Sequence, residues 1–413
     1  MAHLLMIESF IGGNAVLLPK LLKQLGHTYT FITRSKGIFK SSFHSNEHVV
    51  IQHADEIIEA NTNDASVVLD TILGKKFDGV ITTCDYYIET VVEVAKELSI
   101  PCPFPKAVKN VRYKQKLRQT LDAAGISNPQ YGLAYNWDEV LLVAKNIGYP
   151  VVLKPVDLSS SAYVRLIRSE EDLRDAYHQL NAFPINWRDQ ERDCTYLLEK
   201  YMEGNEVSVE AVTFNGETTI IGITQKSLMG APYFIEDAHM FPANISHDMK
   251  LKISGYVVKA LQAAGYDYGV SHTEVKLTDA GPRIVEINPR VAGDYIAEII
   301  KLVCNVDILR AFVDLSIGIE PSITKKETGI SSACVRFLTP HRGGKIVNIV
   351  GVDTLASDSH IDSFKVEDCI GKTVGDPIDN AGRIGWIITK DTEGYNAMNY
   401  AYEAMEHIKL TFE

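Results

Sequence analysis

The sequence lacks the features that would place the chain in a membrane, on nucleic acid or in an oxidising compartment. No eighteen consecutive residues are apolar, so no membrane-spanning segment is expected. The N-terminal stretch MAHLLMIESF has no basic segment before a long apolar one, so no signal peptide is expected. The net charge of -12 is the opposite of the basic excess that nucleic acid binding usually needs. The six cysteines form no CxxC pair, which favours reduced thiols in the cytoplasm over disulfides or zinc.

The apolar residues that are present are enough for several domains. The chain has 413 residues, 46% of them hydrophobic, which is too long for one compact core. Near the N-terminus, the apolar strands HLLMIES, TYTFITR and DGVITTC alternate with the helices VLLPKLLKQLG, ASVVLDTILGKK and VVEVAKELSI. This alternation predicts a parallel α/β sheet. After about residue 325 short strands dominate, and the chain is predicted to end in the helix YNAMNYAYEAMEHI.

These patterns predict an α/β fold class with an α+β central part. The proline-rich stretch PCPFPKA marks a domain boundary near residue 105. The predicted order is an N-terminal parallel α/β domain over 1–105, two lobes over 106–195 and 196–325, and a small β-rich C-terminal subdomain over 326–413.

The stretch PRIVEINPR is apolar enough for a buried strand, yet Glu286, Asn288 and Arg290 interrupt it at every second residue. Alternate residues of a strand project from one face, so these side chains would line one side of the sheet. Burying a polar group without a partner costs about 2–7 kcal/mol. Glu274 lies in the strand SHTEVKL, joined to this one by the apparent turn TDAGP. Hard oxygen ligands on two adjacent strands suit Mg²⁺, completed by phosphate.

Two lysines and two glutamates accompany this row. Lys154 ends the apolar strand PVVLKP and Lys114 begins a basic helix; either lysine alone is more often solvated. In YLLEKYMEGNEVSVEAV, Glu199 follows an apolar strand and Glu206 comes just before the alternating strand VSVEAV. The loop FIGGNA between a strand and a helix fits either an anion site or a tight turn, and TPHRGGKI and DNAGRIG are interpreted as turns.

Together these motifs resemble those of the ATP-grasp ligases, and most closely the L-amino acid ligase or carboxylate–amine ligase branch. The similarity runs from about residue 110 to 390, with the motifs in the family's order. They are VVLKP at 151–155, the run from Glu199 to Glu210, and a spaced set at Lys114, Arg118, Leu121, Gly125, Pro129, Glu274, Glu286, Asn288, Arg290, Gly293 and Asp294.

The resemblance implies roles for these residues. ATP would be bound by Lys114, Lys154, Ser159, Ser160, Ser161, Glu199, Lys200, Tyr201 and Glu206, with the lysines on the phosphates, the run 199–201 on the adenine and Glu206 on the ribose. Glu274, Glu286 and Asn288 would bind Mg²⁺, as two ions, with Mn²⁺ as an alternative. Arg290 would be catalytic and, with Gly293, would contact the substrate.

One loop departs from the family pattern, and one further stretch resembles the family's substrate pocket. The loop VDLSSSAYV lacks the glycines that the family uses to close over phosphate, which leaves its closing geometry open. The stretch SLMGAPYFIEDAHMFPA resembles the amino acid pocket of the branch, where Glu236 would bind an ammonium and His239 the carboxylate or the phosphorylated intermediate; the alternative is an edge loop. His272 is interpreted as a packed strand residue and Asp85 as a loop residue.

The resemblance implies an ATP-dependent ligase that forms an amide through an acyl phosphate, joining an amino acid to another amino acid or small carboxylic derivative. The alternatives are a carboxylase or purine-type ligase, which the YFIEDAH stretch disfavours, and a catalytically weak ATP-binding regulatory protein, which the intact charged set disfavours. The expected partners are small carboxylates and amines, with a homodimer as an allowed oligomeric state.

Overall fold

A parallel sheet forms the N-terminal region. The computed structural model describes residues 1–39, 47–229 and 232–413. The strand order is β3-β2-β1-β4, with all pairs parallel. The strands are β1 (His3–Ile7), β2 (Thr28–Thr33), β3 (Glu56–Glu59) and β4 (Gly79–Ile81), and the helices are α1 (Asn14–Gln24), α2 (Val49–Gln52), α3 (Ala65–Thr71), α4 (Ile88–Leu98) and α5 (Lys109–Arg112).

This region confirms the α/β prediction. Leu4, Leu5 and Met6 of β1 are fully buried, because helices cover a parallel sheet on both faces. The loops that leave the carboxyl ends of β1 and β4 carry polar residues, among them Glu8 and Asp85. In open parallel sheets this edge is where ligands bind.

A smaller antiparallel sheet follows. Its strand order is β5-β8-β6-β7. The elements are α6 (Lys114–Ala123), β5 (Tyr131–Ala134), α7 (Trp137–Ile147), β6 (Val151–Pro155), β7 (Arg165–Ile167), α8 (Glu170–Asn181) and β8 (Tyr196–Lys200). The side chains of Asn136 and Ser169 accept hydrogen bonds at the N-termini of α7 and α8, as capping residues do. Both helices bury their apolar sides against the sheet.

An eight-stranded antiparallel sheet, in the order β13-β12-β9-β10-β11-β14-β18-β16, forms the rest of the molecule with a three-stranded sheet, β17-β15-β19. The strands are β9 (Asn205–Phe214), β10 (Glu217–Met229), β11 (Ile235–Phe241), β12 (Gly269–Thr278), β13 (Gly281–Asn288), β14 (Ser332–Leu338), β15 (Gly344–Val350), β16 (Ile361–Val366), β17 (Thr373–Val374), β18 (Gly385–Asp391) and β19 (Lys409–Phe412). The helices are α9 (His247–Ala263), α10 (Ile296–Cys304), α11 (Ile308–Ser316), α12 (Val352–Leu355) and α13 (Ala397–Glu406).

The large sheet crosses the boundary predicted at residue 325. β14 pairs with β11, and β18 pairs with β14, so strands from both sides of the boundary share one hydrogen-bonded sheet. The predicted helix YNAMNYAYEAMEHI is observed as α13, but a short strand that was not predicted, β19, follows it. The stretch containing Glu236 and His239 is the inner strand β11, which rules out the alternative of an edge loop. Gly230 and Ala231 of that stretch lie outside the described residues.

One face of the large sheet carries charged residues in register. Glu206 of β9 lies opposite Lys226 of β10 and Lys276 of β12. Glu274 of β12 lies opposite Glu286 of β13. The predicted pairing of these last two strands across the turn 278–281 is confirmed. The charges are neighbours because alternate strand residues share a face.

None of the helices in the described ranges is long and apolar enough to cross a membrane. All six cysteines lie in the described ranges, and none forms a disulfide.

Candidate active site

A cavity of about 500 Å³ lies where the three regions of the chain meet. The N-terminal sheet contributes the loop 10–15 and Asp85, the small sheet contributes the ends of β6 and β8, and the large sheet contributes its charged face. All the predicted site residues line the cavity except Asn288, whose Nδ2 donates to Glu286 at 2.8 Å. The FIGGNA loop, interpreted as either an anion site or a turn, is a turn whose residues line this cavity.

Arg118, Lys154 and Glu199 form a buried group that we call the Glu199 cluster. Arg118 Nε donates to one oxygen of Glu199 at 2.6 Å, and Lys154 Nζ donates to the other at 2.7 Å. Burial alone would raise the pKa of Glu199, but the charges of Arg118 and Lys154 lower it to about 2. Glu199 is therefore ionised and fixes the position of Lys154, while the group keeps one surplus positive charge.

The loop after β6, residues 157–163, contains no glycine but adopts backbone angles that are typical of glycine. Ser160, Ser161 and Tyr163 have φ values of 60°, 57° and 58°, in the left-handed region that glycine adopts without strain. Each such residue costs on the order of 1–3 kcal/mol. Lys114 Nζ donates to the carbonyl of Leu158 at 2.9 Å, which ties the loop to the start of α6. The loop therefore takes a glycine-like path even though its sequence lacks glycine.

The end of β8 differs from the expected adenine contact in one respect. The N–H groups of Lys200 and Tyr201 donate to the carbonyls of Gln130 and Pro150, at 2.8 and 3.2 Å. An adenine contact through these two N–H groups would need them to change partners.

Lys226, a residue not predicted for the site, lies at the centre of the charged face. Its Nζ is 2.5 Å from Glu274, 2.6 Å from Glu236 and 3.2 Å from Glu206, and its side chain is 1% exposed. Lys276 Nζ is 3.2 Å from the second oxygen of Glu206. Burial alone would lower the pKa of Lys226, but the three carboxylates raise it well above its usual value. These five residues, the Lys226 cluster, carry two positive and three negative charges.

The predicted metal ligands lie where the two clusters meet. Glu286 is 3.1 Å from Lys114 Nζ and faces Glu274 across β12 and β13. Burial would raise the pKa of Glu286, but Lys114 and Asn288 lower it well below its usual value. The charge of Glu286 in turn opposes the ionisation of Glu274. Two ionised carboxylates side by side, with an amide beside them, fit a hard divalent cation, which would relieve their repulsion.

Arg290 lies beyond the end of β13, so the predicted row along one strand face stops at Asn288. Its Nε donates to Asp85 at 2.7 Å. Asp85, interpreted from sequence as a loop residue, is buried in the turn after β4 and lines the cavity. It therefore holds the guanidinium at the cavity wall.

Glu236 and His239 lie on β11 beside a turn of the C-terminal region. Asn380 Nδ2 donates to Glu236 at 3.0 Å, and Arg383 NH1 donates to Asp294 at 2.8 Å. His239 Nε2 is 3.4 Å from Asp294. The DNAGRIG stretch is a turn, as interpreted, but it also supplies three residues, Asn380, Ala381 and Arg383, to the cavity wall.

His272 is packed in β12, as interpreted. Its Nδ1 is 2.9 Å from Glu210 and its Nε2 is 3.3 Å from Glu274. Burial alone would lower the pKa of His272, but Glu210 and Glu274 raise it to about 9. It adds a positive charge behind Glu274 at neutral pH.

Sequence reasoning missed Lys226, Asp85, Asp294, Asn380 and Arg383 as site residues. Lys226 gave little local signal, because β10 also carries Glu217, Gln225, Ser227 and three threonines. Asp294 had a signal, since it ends the motif that includes Arg290 and Gly293. Asp85, Asn380 and Arg383 lie in loops and turns, whose meeting depends on the fold.

The comparisons with known proteins agree with this geometry. The family model of the ATP-grasp domain matches residues 147–298, and that of the L-amino acid ligase C-terminal domain 2 matches residues 336–413. The alanine–anticapsin ligase of Bacillus amyloliquefaciens is 27% identical over 267 residues, which cover 60% of this chain and 56% of that protein. This chain therefore spans about half the length of that relative.

Two solved structures share the fold over the whole chain. The L-amino acid ligase from Bacillus licheniformis has a TM-score of 0.81 at 18% identity and covers 100% of this chain and 99% of its own. Phosphoribosylglycinamide synthetase from Anaerococcus prevotii has a TM-score of 0.72 at 17% identity, covering 100% of both chains. At these identities the likeness concerns the fold alone.

The chain therefore contains a region similar to the ATP-grasp domain, over residues 147–298, and a region similar to the L-amino acid ligase C-terminal domain 2, over residues 336–413.

Proposed function

We propose that the protein is an ATP-dependent ligase that joins the carboxylate of an amino acid to the amine of a second amino acid or small amine. The observation that carries the proposal is the single cavity, in which cationic side chains for phosphate lie beside carboxylates for metal and ammonium. The match to an amino acid ligase C-terminal domain and to the alanine–anticapsin ligase supports the same class.

ATP phosphates are proposed to bind at Lys114 and Lys154, which point into the cavity from α6 and β6. Ser159, Ser160 and Ser161 would supply further donors from the loop. Glu206 would accept from the ribose hydroxyls, and the run 199–201 would border the adenine. Phosphoryl transfer needs charge neutralisation and alignment more than covalent help, and these side chains supply both.

Glu274, Glu286 and Asn288 would hold Mg²⁺, and we propose two ions because both carboxylates are ionised and in register. When bound, Mg²⁺ neutralises the charge of the phosphates and of the two carboxylates. Lys114 and Lys226, which now contact Glu286 and Glu274, would keep these side chains oriented.

The proposed reaction has two steps. A carboxylate oxygen of the donor attacks the γ-phosphorus, and the bond to the β-phosphate oxygen breaks, which gives an acyl phosphate and ADP. The amine of the acceptor then attacks the acyl carbon, the carbon–oxygen bond to phosphate breaks, and amide, phosphate and a proton are released. Arg290, held by Asp85, would stabilise the negative charge of the transferring group in both steps.

The alternative of a carboxylase or purine-type ligase shares the fold, as the structural likeness to phosphoribosylglycinamide synthetase makes clear. The C-terminal domain match disfavours this alternative. A weak ATP-binding regulatory protein is disfavoured by the complete and buried charged set.

The test is to measure ADP release with Mg²⁺ over a panel of L-amino acid pairs, with products identified by mass spectrometry. We expect ADP release that depends on amino acids and is accompanied by an amide. ADP release that depends on bicarbonate would support the carboxylase alternative, and ATP hydrolysis with no amino acid dependence would contradict the proposal.

A further inference from the structure

We propose that Asp294, positioned by Arg383, binds the ammonium group of the amino acid whose carboxylate is activated. This inference rests on the proposed ligase function and adds a residue that determines the donor. It assigns a role in substrate choice to the turn 379–383, which belongs to the C-terminal domain.

Three separate segments meet at this corner of the cavity. Arg383 NH1 donates to Asp294 Oδ1 at 2.8 Å, and its NH2 donates to the carbonyl of Glu236 at 2.9 Å. The guanidinium lies over the ring of Phe337, 3.9 Å from its centre, and the side chain is 10% exposed. The buried Nε of Arg383 finds no hydrogen-bond partner among the described residues. Asp294 and the carbonyl of Glu236 therefore fix the orientation of the guanidinium, and the Nε–H group stays without a hydrogen bond.

Asp294 offers the acceptor oxygen with the fewest partners. Glu236 uses both oxygens, one with Lys226 at 2.6 Å and the other with Asn380 at 3.0 Å. Asp294 uses Oδ1 for Arg383, while Oδ2 has a long contact of 3.4 Å to His239. The carboxyl groups of Asp294 and Glu236 also lie within hydrogen-bonding range of each other. The Asp294 side chain is 25% exposed against 15% for Glu236, and both line the cavity.

The charge of the corner fits a monovalent cation. Glu236 and Asp294 carry two negative charges and Arg383 one positive charge, while Lys226 is shared with Glu206 and Glu274. Atoms of Glu236, His239 and Asp294 lie within 4.8 Å of one another, a spacing that would also suit a metal ion. A divalent cation there would face the charges of Arg383 and Lys226 at once, so the ammonium is the better match.

The chemistry decides which of the two amines binds here. The acceptor amine must be unprotonated to attack the acyl phosphate, and an adjacent carboxylate favours the protonated form. The donor amine does not react, and holding it as ammonium keeps it from acting as a nucleophile. A site built on Asp294 therefore suits the donor.

The first half-reaction tests this without knowledge of the acceptor. The enzyme is given ATP, Mg²⁺ and hydroxylamine, which attacks the acyl phosphate to give a hydroxamate and phosphate. Each common L-amino acid is compared with its deamino analogue, for example alanine with propionate. The variants are Asp294→Asn, Arg383→Lys and Arg383→Met, and the matched controls are Asp362→Asn and Arg342→Met, whose residues lie outside the cavity.

We expect Asp294→Asn to raise KM for the amino acid while the KM for ATP stays within about twofold. The preference of kcat/KM for the amino acid over the deamino acid should fall by about tenfold or more. Arg383→Met should lose this preference as well, Arg383→Lys should recover part of it, and the controls should behave as wild type.

An unchanged preference in Asp294→Asn, or a rise in KM for ATP equal to that for the amino acid, would overturn the inference. Binding of Zn²⁺ that is seen in the wild type and lost in Asp294→Asn would overturn the inference in favour of a metal site. If wild-type enzyme forms no hydroxamate with any donor, the proposed function fails instead, so the two failures are distinguishable.

Discussion

Lys154 and Lys226 are both buried lysines that face one cavity, but their surroundings have opposite sign. Lys154 shares a single carboxylate, Glu199, with Arg118, so the Glu199 cluster carries one surplus positive charge. Lys226 is surrounded by three carboxylates, and the Lys226 cluster keeps one surplus negative charge even with Lys276 included.

The difference divides the cavity into two electrostatic halves. The half around Glu199 suits an anion such as a phosphate, whereas the half around Lys226 suits a cation such as a metal ion or an ammonium. A cavity lined by charges of one sign would be destabilised by their mutual repulsion. It would also repel the part of a substrate that carries the same sign. The two halves meet at Glu286, which contacts Lys114 and faces Glu274.

The strongest test of this division is Glu286→Gln, which removes the charge at the meeting point. We expect turnover to fall by about 10³ because the proposed ligand for Mg²⁺ is lost, with the fold intact. ADP release at saturating Mg²⁺ and the melting temperature are the measurements. Glu217→Gln, an exposed change on β10, serves as the control. Near-normal ADP release in Glu286→Gln would show that the metal lies elsewhere.

Glu199→Gln would test the positive half. The change leaves Arg118 and Lys154 buried beside an uncharged amide, so we expect a loss of about 3–5 kcal/mol in the free energy of unfolding near pH 7. Thermal and urea unfolding of wild type and variant provide the measurement.

The comparison of wild type with Glu199→Gln also predicts how the stability difference between them changes with pH. The pKa of Glu199 is about 2 in the folded chain against an ordinary 4.5, so its stabilising contribution is present above pH 4.5 and is lost as pH falls towards 2. The stability difference between wild type and Glu199→Gln should shrink over that range. A difference that stays constant from pH 7 to 3 would contradict the low pKa.

Arg290→Lys would test whether the guanidinium of Arg290 adds to the positive half of the cavity, around Glu199, by contacting the transferring phosphoryl group. An ammonium cannot contact Asp85 and a phosphate with the same fixed fork, so we expect kcat for amide formation to fall by about 10²–10³ with the KM for ATP little changed. Product formation and ADP release are measured together. Amide formed at the wild-type rate would remove Arg290 from the mechanism.

The smallest effect on the kinetics is expected for Glu206→Ala, a change in one of the three carboxylates of the Lys226 cluster. Loss of one hydrogen bond to a charged group is worth about 1.5–3 kcal/mol, so the KM for ATP should rise by about tenfold to a hundredfold with less change in kcat. Steady-state kinetics with ATP as the varied substrate give the answer. An unchanged KM would take Glu206 away from the ribose.

The pairing of Glu274 with Glu286 could be predicted from the sequence because it follows a local rule. Glu286 and Asn288 alternate in an apolar strand, and a short turn leads back to Glu274, so strand geometry alone brings them together. The fold class and the family were predictable for a similar reason, since the motifs are short and ordered along the chain. The roles of the individual site residues remain predictions.

The rest of the site depends on tertiary contacts that no local pattern encodes. Arg290 and Asp85 are 205 residues apart in the chain, and Arg383 and Asp294 are 89 apart. Lys226 is a single lysine in a strand, and such a residue is usually solvated. Lys226 is buried because the neighbouring strands β9, β11 and β12 bring carboxylates to its ammonium group. This arrangement can be recognised only once the strand order is known.

The pairing of β14 with β11 also bears on how such enzymes change over generations. A recombination event near residue 325 would exchange β14, β18 and the turn that carries Arg383 as one block, so the substrate preference proposed for Arg383 and Asp294 would change with it. Loss of the block would instead leave β11 as an uncovered edge strand, with unpaired N–H and C=O groups that template aggregation. Gene fragments ending there should therefore be selected against for insolubility before their catalytic defect matters.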